Sequence, residues 1–280
     1  AEDYDIEFEL KSYIPNTDGY SSYKFEIVDI LAKGFDYDRD SVKVLLGENE
    51  YPKQREKVIK ENEETSEDNK TETVENYTIK DVVISAENYA EYKNYFEEEG
   101  KEYPEEYKEF QYGKTLILIE INDLVEQLKS EIIQKAQDVI VTYNAKLNGK
   151  GEIGNTPNIN EAYLKYSNNP YNNAQITQTT TQTTYTYTID LDVSKIAELK
   201  SETDEKKYLE GAEFEIYSEP NTVEGRELIT TITTDELGQA LYSSLGAGTY
   251  YLKEVKSPEG YNKLREEADE DTVTDEMTEE

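Results

Sequence analysis

A chain of 280 residues with 63 acidic and 29 basic side chains carries a net charge of −34, which repels nucleic acid and anionic membranes and excludes both as partners. It has no histidine and no cysteine, which removes disulfides, thiolate chemistry, the commonest general base and the commonest transition-metal ligand. The length favours two domains, and 25 tyrosines at a hydrophobic content of 35% predict β-structure with amphipathic aromatics in its core.

Residues 4–14 alternate, with Tyr4, Ile6, Phe8 and Leu10 on one side and Glu7, Glu9 and Lys11 on the other, the pattern of a half-buried strand. Pro15 to Gly19 form a turn. A second strand follows with Tyr23, Phe25 and Ile27 in phase, and Asp29 is next in that phase. It is a carboxylate on an apolar face and needs a partner. Ser41–Leu46 is a short third strand. Residues 47–113 read as an insertion: a polar loop, a strand near Tyr77–Ser85, and short helices around Ala86–Glu99 and Pro104–Phe110. Thr115–Ile121 is an apolar strand. Asp123–Gln137 shows helical spacing through Leu124, Leu128 and Ile132, and Val139–Leu147 is again a strand. After turns at 149–158, Ala162–Asn169 forms a strand with Leu164, Tyr166 and Asn168 in phase. Residues 170–184, rich in Asn, Gln and Thr, read as a linker or extended crossover.

Alternation returns with Tyr185, Tyr187, Ile189, Leu191 and Val193, and Lys195 continues that face. Later strands are Ala212–Tyr217, Leu228–Thr233, Gln239–Tyr242 and Thr249–Val255, separated by turn signals as in a β-sandwich. In the last of them Tyr250, Leu252 and Glu254 share a face. The acidic tail, 263–280, reads as disordered. The chain is thus mainly β, with two Ig-like sandwich domains in tandem: 1–184 with its partly helical insertion, and 185–262. No apolar run approaches membrane-spanning length and no signal peptide is present, so the chain reads as a mature or trimmed fragment.

Phase alone places Lys195 and Glu254 on the buried side of the second domain. Burial pushes a lysine towards its neutral, nucleophilic form and a carboxylic acid towards protonation. Beside an asparagine amide, such a pair can close a Lys–Asn isopeptide bond with loss of ammonia. A buried salt bridge needs no reaction and fits the same phase.

Tyr208–Tyr217 (YLEGAEFEIY), Thr233–Gly238 (TTDELG) and Gly248–Tyr261 (GTYYLKEVKSPEGY) resemble the CnaB-type, SpaA-like prealbumin domain of Gram-positive surface proteins and sortase-assembled pilins. The family motif Y-x-L-x-E-x-x-x-P-x-G-Y is met by Tyr250, Leu252, Glu254, Pro258, Gly260 and Tyr261. The resemblance implies that Glu254 promotes an isopeptide bond from Lys195. The family's asparagine lies on a last strand after the motif, where here only Asn262 follows.

Residues 1–184 resemble the preceding CnaA-like domain of pilin backbone subunits through Gly19–Phe35, Asn144–Asn148 (NAKLN) and Leu164–Pro170 (LKYSNNP). That resemblance gives Asp29 the promoting role and Asn168 or Asn169 the amide. It places the lysine upstream of residue 1, since Lys11 and Lys24 lie on the outward phase. Tyr51-Pro52-Lys53-Gln54 is similar to the Y-P-K-N motif whose lysine is joined by sortase, but it sits inside the first domain. Asp36, Asp38 and Asp40 resemble the start of a calcium loop, without the glycine and final glutamate of an EF-hand; a solvated acidic turn is the other reading.

The resemblance implies a non-enzymatic, extracellular backbone subunit of a covalent pilus on the cell wall. It needs no cofactor unless calcium binds at the acidic run. Its partners would be further subunits head to tail and sortase during assembly. The alternative is a cell-wall adhesin that binds a host surface ligand through a tyrosine-rich 47–113 insertion.

Overall fold

The structure, a computed structural model, describes residues 5–60, 69–152, 154–172, 174–197, 206–226, 228–246, 248–262 and 271–274. The chain divides into two compact units. The first holds Ile6–Ala145 and Ile159–Tyr185, and the second holds Thr186 onward with Lys146–Asn158.

Twelve strands begin or lie in the first unit. They are β1 (Asp5–Tyr13), β2 (Phe25–Leu31), β3 (Phe35–Leu46), β4 (Asn49–Glu50), β5 (Gln54–Lys60), β6 (Asn69–Glu75), β7 (Tyr77–Val83), β8 (Thr115–Ile121), β9 (Asp138–Leu147), β10 (Asn158–Ser167), β11 (Ile176–Gln178) and β12 (Gln182–Thr186). One sheet runs β1-β9-β3-β4 and a larger one β11-β10-β2-β8-β7, with β12 also on β10. Within the first sheet Phe8 of β1 stacks on Tyr143 of β9, ring centroids 5.1 Å apart, and the Tyr143 hydroxyl reaches across to Asp29 of β2.

Every residue of β2 is buried, not only the phase carrying Phe25, Ile27 and Asp29. The insertion explains this. Helices α1 (Tyr89–Tyr92) and α2 (Glu105–Gln111), joined through a short 3-10 turn, cover the outer face of the sheet. Tyr89 and Tyr92 are buried against Val28, Ile30, Leu116 and Leu118, with Tyr95, Phe96 and Tyr112 packed at the margin. Asn88 fixes the entry to α1: its Oδ1 accepts from the Ser85 amide at 2.8 Å and its Nδ2 donates to the Val83 carbonyl at 2.9 Å. Tyr89 and Tyr92, with Tyr95, Phe96 and Tyr112 beside them, therefore build core for a doubly covered sheet. They do not form the exposed tyrosine cluster on which the adhesin alternative stood.

Four local expectations change. The polar loop after residue 47 contains a regular hairpin, β5–β6, in register from Gln54↔Glu75 to Lys60↔Asn69. Among its described side chains, 54–57 and 71–75, none is buried, so the hairpin leaves no apolar signal to read. The acidic run lies inside β3, which starts at Phe35. The helix after Asp123 stops early, α3 being Leu124–Lys129, because Glu131 and Ala136 take φ of 57° and 60°, a region that ends helices. Residues 176–186 are no linker but an edge of the larger sheet, since Thr and Gln pair through backbone without apolar burial.

The second unit contains β13 (Ile189–Ser194), β14 (Glu213–Tyr217), β15 (Leu228–Thr233), β16 (Gln239–Leu245), β17 (Thr249–Lys256) and β18 (Asp271–Thr274). Its sheets run β13-β16 and β15-β14-β17-β18. Leu191, Ala212, Phe214, Ile216, Ile232 and Tyr250 form the core. Residues 152–158, placed by sequence in the first domain, bond to the start of this unit instead. The Gly154 amide donates to the Thr188 carbonyl at 2.8 Å, and Thr188 Oγ1 to the Glu152 carbonyl at 2.8 Å. Within the tail expected to be disordered, Asp271–Thr274 pairs with β17, Leu252 facing Asp271 and Thr249 facing Thr274; the rest of 263–280 lies outside the described residues.

Candidate functional site

In the second unit β17 alternates across the sheet and turns Tyr250 and Glu254 into the core. Lys195 follows directly on β13. Its amide donates to the Gly238 carbonyl at 2.8 Å and its carbonyl accepts from the Leu209 amide at 3.0 Å, so its backbone is held from two sides. Its Nζ lies 2.9 Å from Glu254 Oε1, with the two side chains 16% and 2% exposed. The structure thus brings together the lysine and glutamate that phase had placed on one face. Both charges leave water, so each depends on the other.

Gly238 makes that approach possible. Its φ is +67°, and a Cβ there would meet the Lys195 carbonyl oxygen at 2.7 Å and the Leu209 amide nitrogen at 2.8 Å. Both contacts are to backbone and cannot swing away. Gly238→Ala is expected to cost about 1–3 kcal/mol, read as a lower midpoint for the second unit in thermal denaturation; an unchanged midpoint would contradict this placement of Lys195.

In the first unit Asp29 is fully buried in the middle of β2. Tyr143 donates its hydroxyl to Asp29 Oδ2 at 2.7 Å. Burial pushes the Asp29 carboxyl up to about 6, against the opposing effect of Tyr143, Asn160 and the Ile30 amide. The buried Tyr143 hydroxyl is pushed up as well, by burial first and then by Asp29.

The expected amides are elsewhere. Asn168 is exposed beyond the end of β10. Asn169 serves its own turn, its Nδ2 donating to Gln175 Oε1 at 2.8 Å and its Oδ1 accepting from the Tyr171 amide at 2.9 Å. The asparagine nearest Asp29 in register is Asn160, buried on β10 two positions from Ala162, which pairs directly with Asp29. It was legible only by starting that strand at Asn158 rather than Ala162.

Lys11 is exposed beside Glu9 at 2.8 Å, and Lys24 pairs with Glu26 and Glu120 at 2.9 Å each, so neither serves Asp29. Among the described residues, then, a buried acid meets the Tyr143 hydroxyl in the first unit and a buried acid meets Lys195 in the second. Residues 263–280, which include the last strand, contain no asparagine.

Lys53 is exposed between β4 and β5, its carbonyl accepting from the Asn76 amide at 2.7 Å. Asp36, Asp38 and Asp40 are exposed on a strand rather than a loop. Alternate positions about 7 Å apart cannot converge on one ion. No group of three or more acidic side chains able to hold a metal occurs among the described residues.

Residues 194–280 match the SpaA prealbumin-like fold domain family. The second unit is similar to a SpaA-type domain. The trypsin-resistant surface T6 protein of Streptococcus pyogenes serotype M6 is 31% identical over 136 residues, 44% of this chain and 23% of that protein. The structure of the T6 backbone pilin superposes with a TM-score of 0.54 at 17% identity, over 96% of this chain and 51% of that one. Domains D2 and D3 of the major pilin SpaD from Corynebacterium diphtheriae give 0.53 at 19% identity, over 95% of this chain and 82% of that one. The chain therefore has the fold of Gram-positive major pilins across both units, and it spans about a quarter of the T6 surface protein and half of its solved backbone pilin. No helix among the described residues is long and apolar enough to cross a membrane.

Proposed function

We propose that the chain is a structural shaft subunit of a covalent pilus, displayed outside a Gram-positive cell, joined head to tail to further copies by sortase. The observation that carries this is the match of the second unit to the SpaA-type domain, with its buried Lys195–Glu254 pair, in a chain whose first unit also has a pilin-like fold. Such a subunit has no external substrate; its work is to hold shape under load. Buried polar ties that join separate strands suit that task, because they cannot slip without exposing an unpaired charge. The adhesin alternative has less support, since Tyr89 and Tyr92 of its tyrosine-rich insertion face inward.

The test is a cell-wall extract boiled in detergent and probed with antibody to this chain. A ladder of covalent multimers is the expected result. A single monomer band, or a ladder that forms equally well without sortase, would exclude the shaft role.

A further inference from the structure

Residues 166–185 contain no charged side chain, in a chain of which 33% is charged. The stretch is not hidden. Tyr171 is 97% exposed, and Ile176 and Tyr185 are exposed as well. It leaves β10 by a turn and returns along β10 as β11 and β12, with the Thr179 amide donating to the Leu164 carbonyl at 3.0 Å. Among the described residues no further strand covers the outer side of this edge. The neighbouring 12–23 segment has one charge, Asp18, neutralised by Lys135 at 2.6 Å.

Proteins guard exposed sheet edges with lysine, proline or an inward charge, because a bare edge recruits another strand. From 176 to 185 this edge has none of these. Its sequence also reads the same in both directions: Thr177-Gln178-Thr179-Thr180-Thr181-Gln182-Thr183 is symmetric about Thr180. Two copies laid antiparallel about a two-fold axis at Thr180 would set Gln178 against Gln182 and Thr177 against Thr183. Thr–Thr pairs and stacked Gln side chains are favourable across such a junction, and a two-fold axis makes the interface self-complementary.

We infer that this edge pairs with the same edge of a second copy, giving side-by-side association of chains. Two bodies of charge −34 repel wherever their carboxylates meet; a charge-free face is where they can approach. The inference goes beyond the shaft reading and does not depend on it, because head-to-tail joining uses neither this edge nor its symmetry.

Sedimentation of the 280-residue chain over a concentration series, in about 0.15 M and about 0.5 M sodium chloride, tests it. The wild type should associate reversibly, and more strongly at the higher salt, because screening removes the general repulsion. Thr180→Glu, which sets a carboxylate against its own copy, should weaken association roughly tenfold or more, whereas Thr73→Glu, exposed on β6 of a separate sheet, should not. A melting curve for each variant checks folding. A wild type that stays monomeric throughout, an association that falls as salt rises, or a Thr180→Glu variant that associates like wild type would each overturn the pairing. The first of these would leave the edge to a different occupant, such as a neutral polysaccharide.

Discussion

Glu254→Ala is expected to lower the melting midpoint of the second unit by about 15 °C. The change leaves Lys195 Nζ, 2.9 Å from the lost oxygen and only 16% exposed as a side chain, without its counter-charge. Removing one partner of a buried pair costs about 3–5 kcal/mol, because the other stays desolvated, and each kcal/mol moves a domain of this size by about 4 °C or more. Lys195→Met should cost a similar amount. The double variant Lys195→Met/Glu254→Leu removes both charges and should recover most of the loss. This recovery separates a buried pair from a mere packing defect: if the double variant is as unstable as the sum of the singles, the pair is not what holds β13 to β17.

Asp29→Asn should do the opposite and stabilise the first unit at neutral pH. The carboxyl moves from 3.8 to about 6 because burial disfavours its charged form. The folded chain therefore binds more protons than the unfolded one between about pH 4 and pH 6, and stability from this group falls as pH rises through that window. At pH 8 the cost is on the order of 3 kcal/mol, and below pH 4 it vanishes. Asparagine has no charge to desolvate and can still accept from Tyr143. The difference in melting midpoint between Asp29→Asn and wild type should be large at pH 8 and near zero at pH 4. Taking that difference cancels the general repulsion of the other acids. An equal difference at both pH values would mean that Asp29 is already protonated, or that its environment is not as the geometry indicates.

The sequence made these two sites visible because period-two alternation says which face a strand residue takes, and a charge in an apolar phase stands out. Lys195, Glu254 and Asp29 were all found in this way. What phase cannot supply is the neighbour across the sheet. Tyr143 reads simply as part of a strand, and Asn160 falls outside a strand begun at Ala162, four residues after its start at Asn158. The insertion was hard to read for a different reason. Tyr89 and Tyr92 cover one face of β2 through short helices whose apolar period is too brief to register. That same cover is why β2 is buried on both faces and shows no alternation in exposure. The hairpin β5–β6 and the edge β11–β12 escaped because backbone pairing, not burial, forms them.

We propose that the second unit is held by Lys195 and Glu254 as a buried ion pair, without a covalent bond from Lys195. The intact mass of the 280-residue chain, measured under denaturing conditions for wild type and Glu254→Ala, tests it most directly. The predicted result is the full sequence mass for wild type and, for the variant, a change equal to the substitution alone. A wild-type chain lighter by one ammonia, or by one water if a carboxyl is the acceptor, with the deficit restored in Glu254→Ala, would show that Lys195 had found a third partner and would contradict the claim.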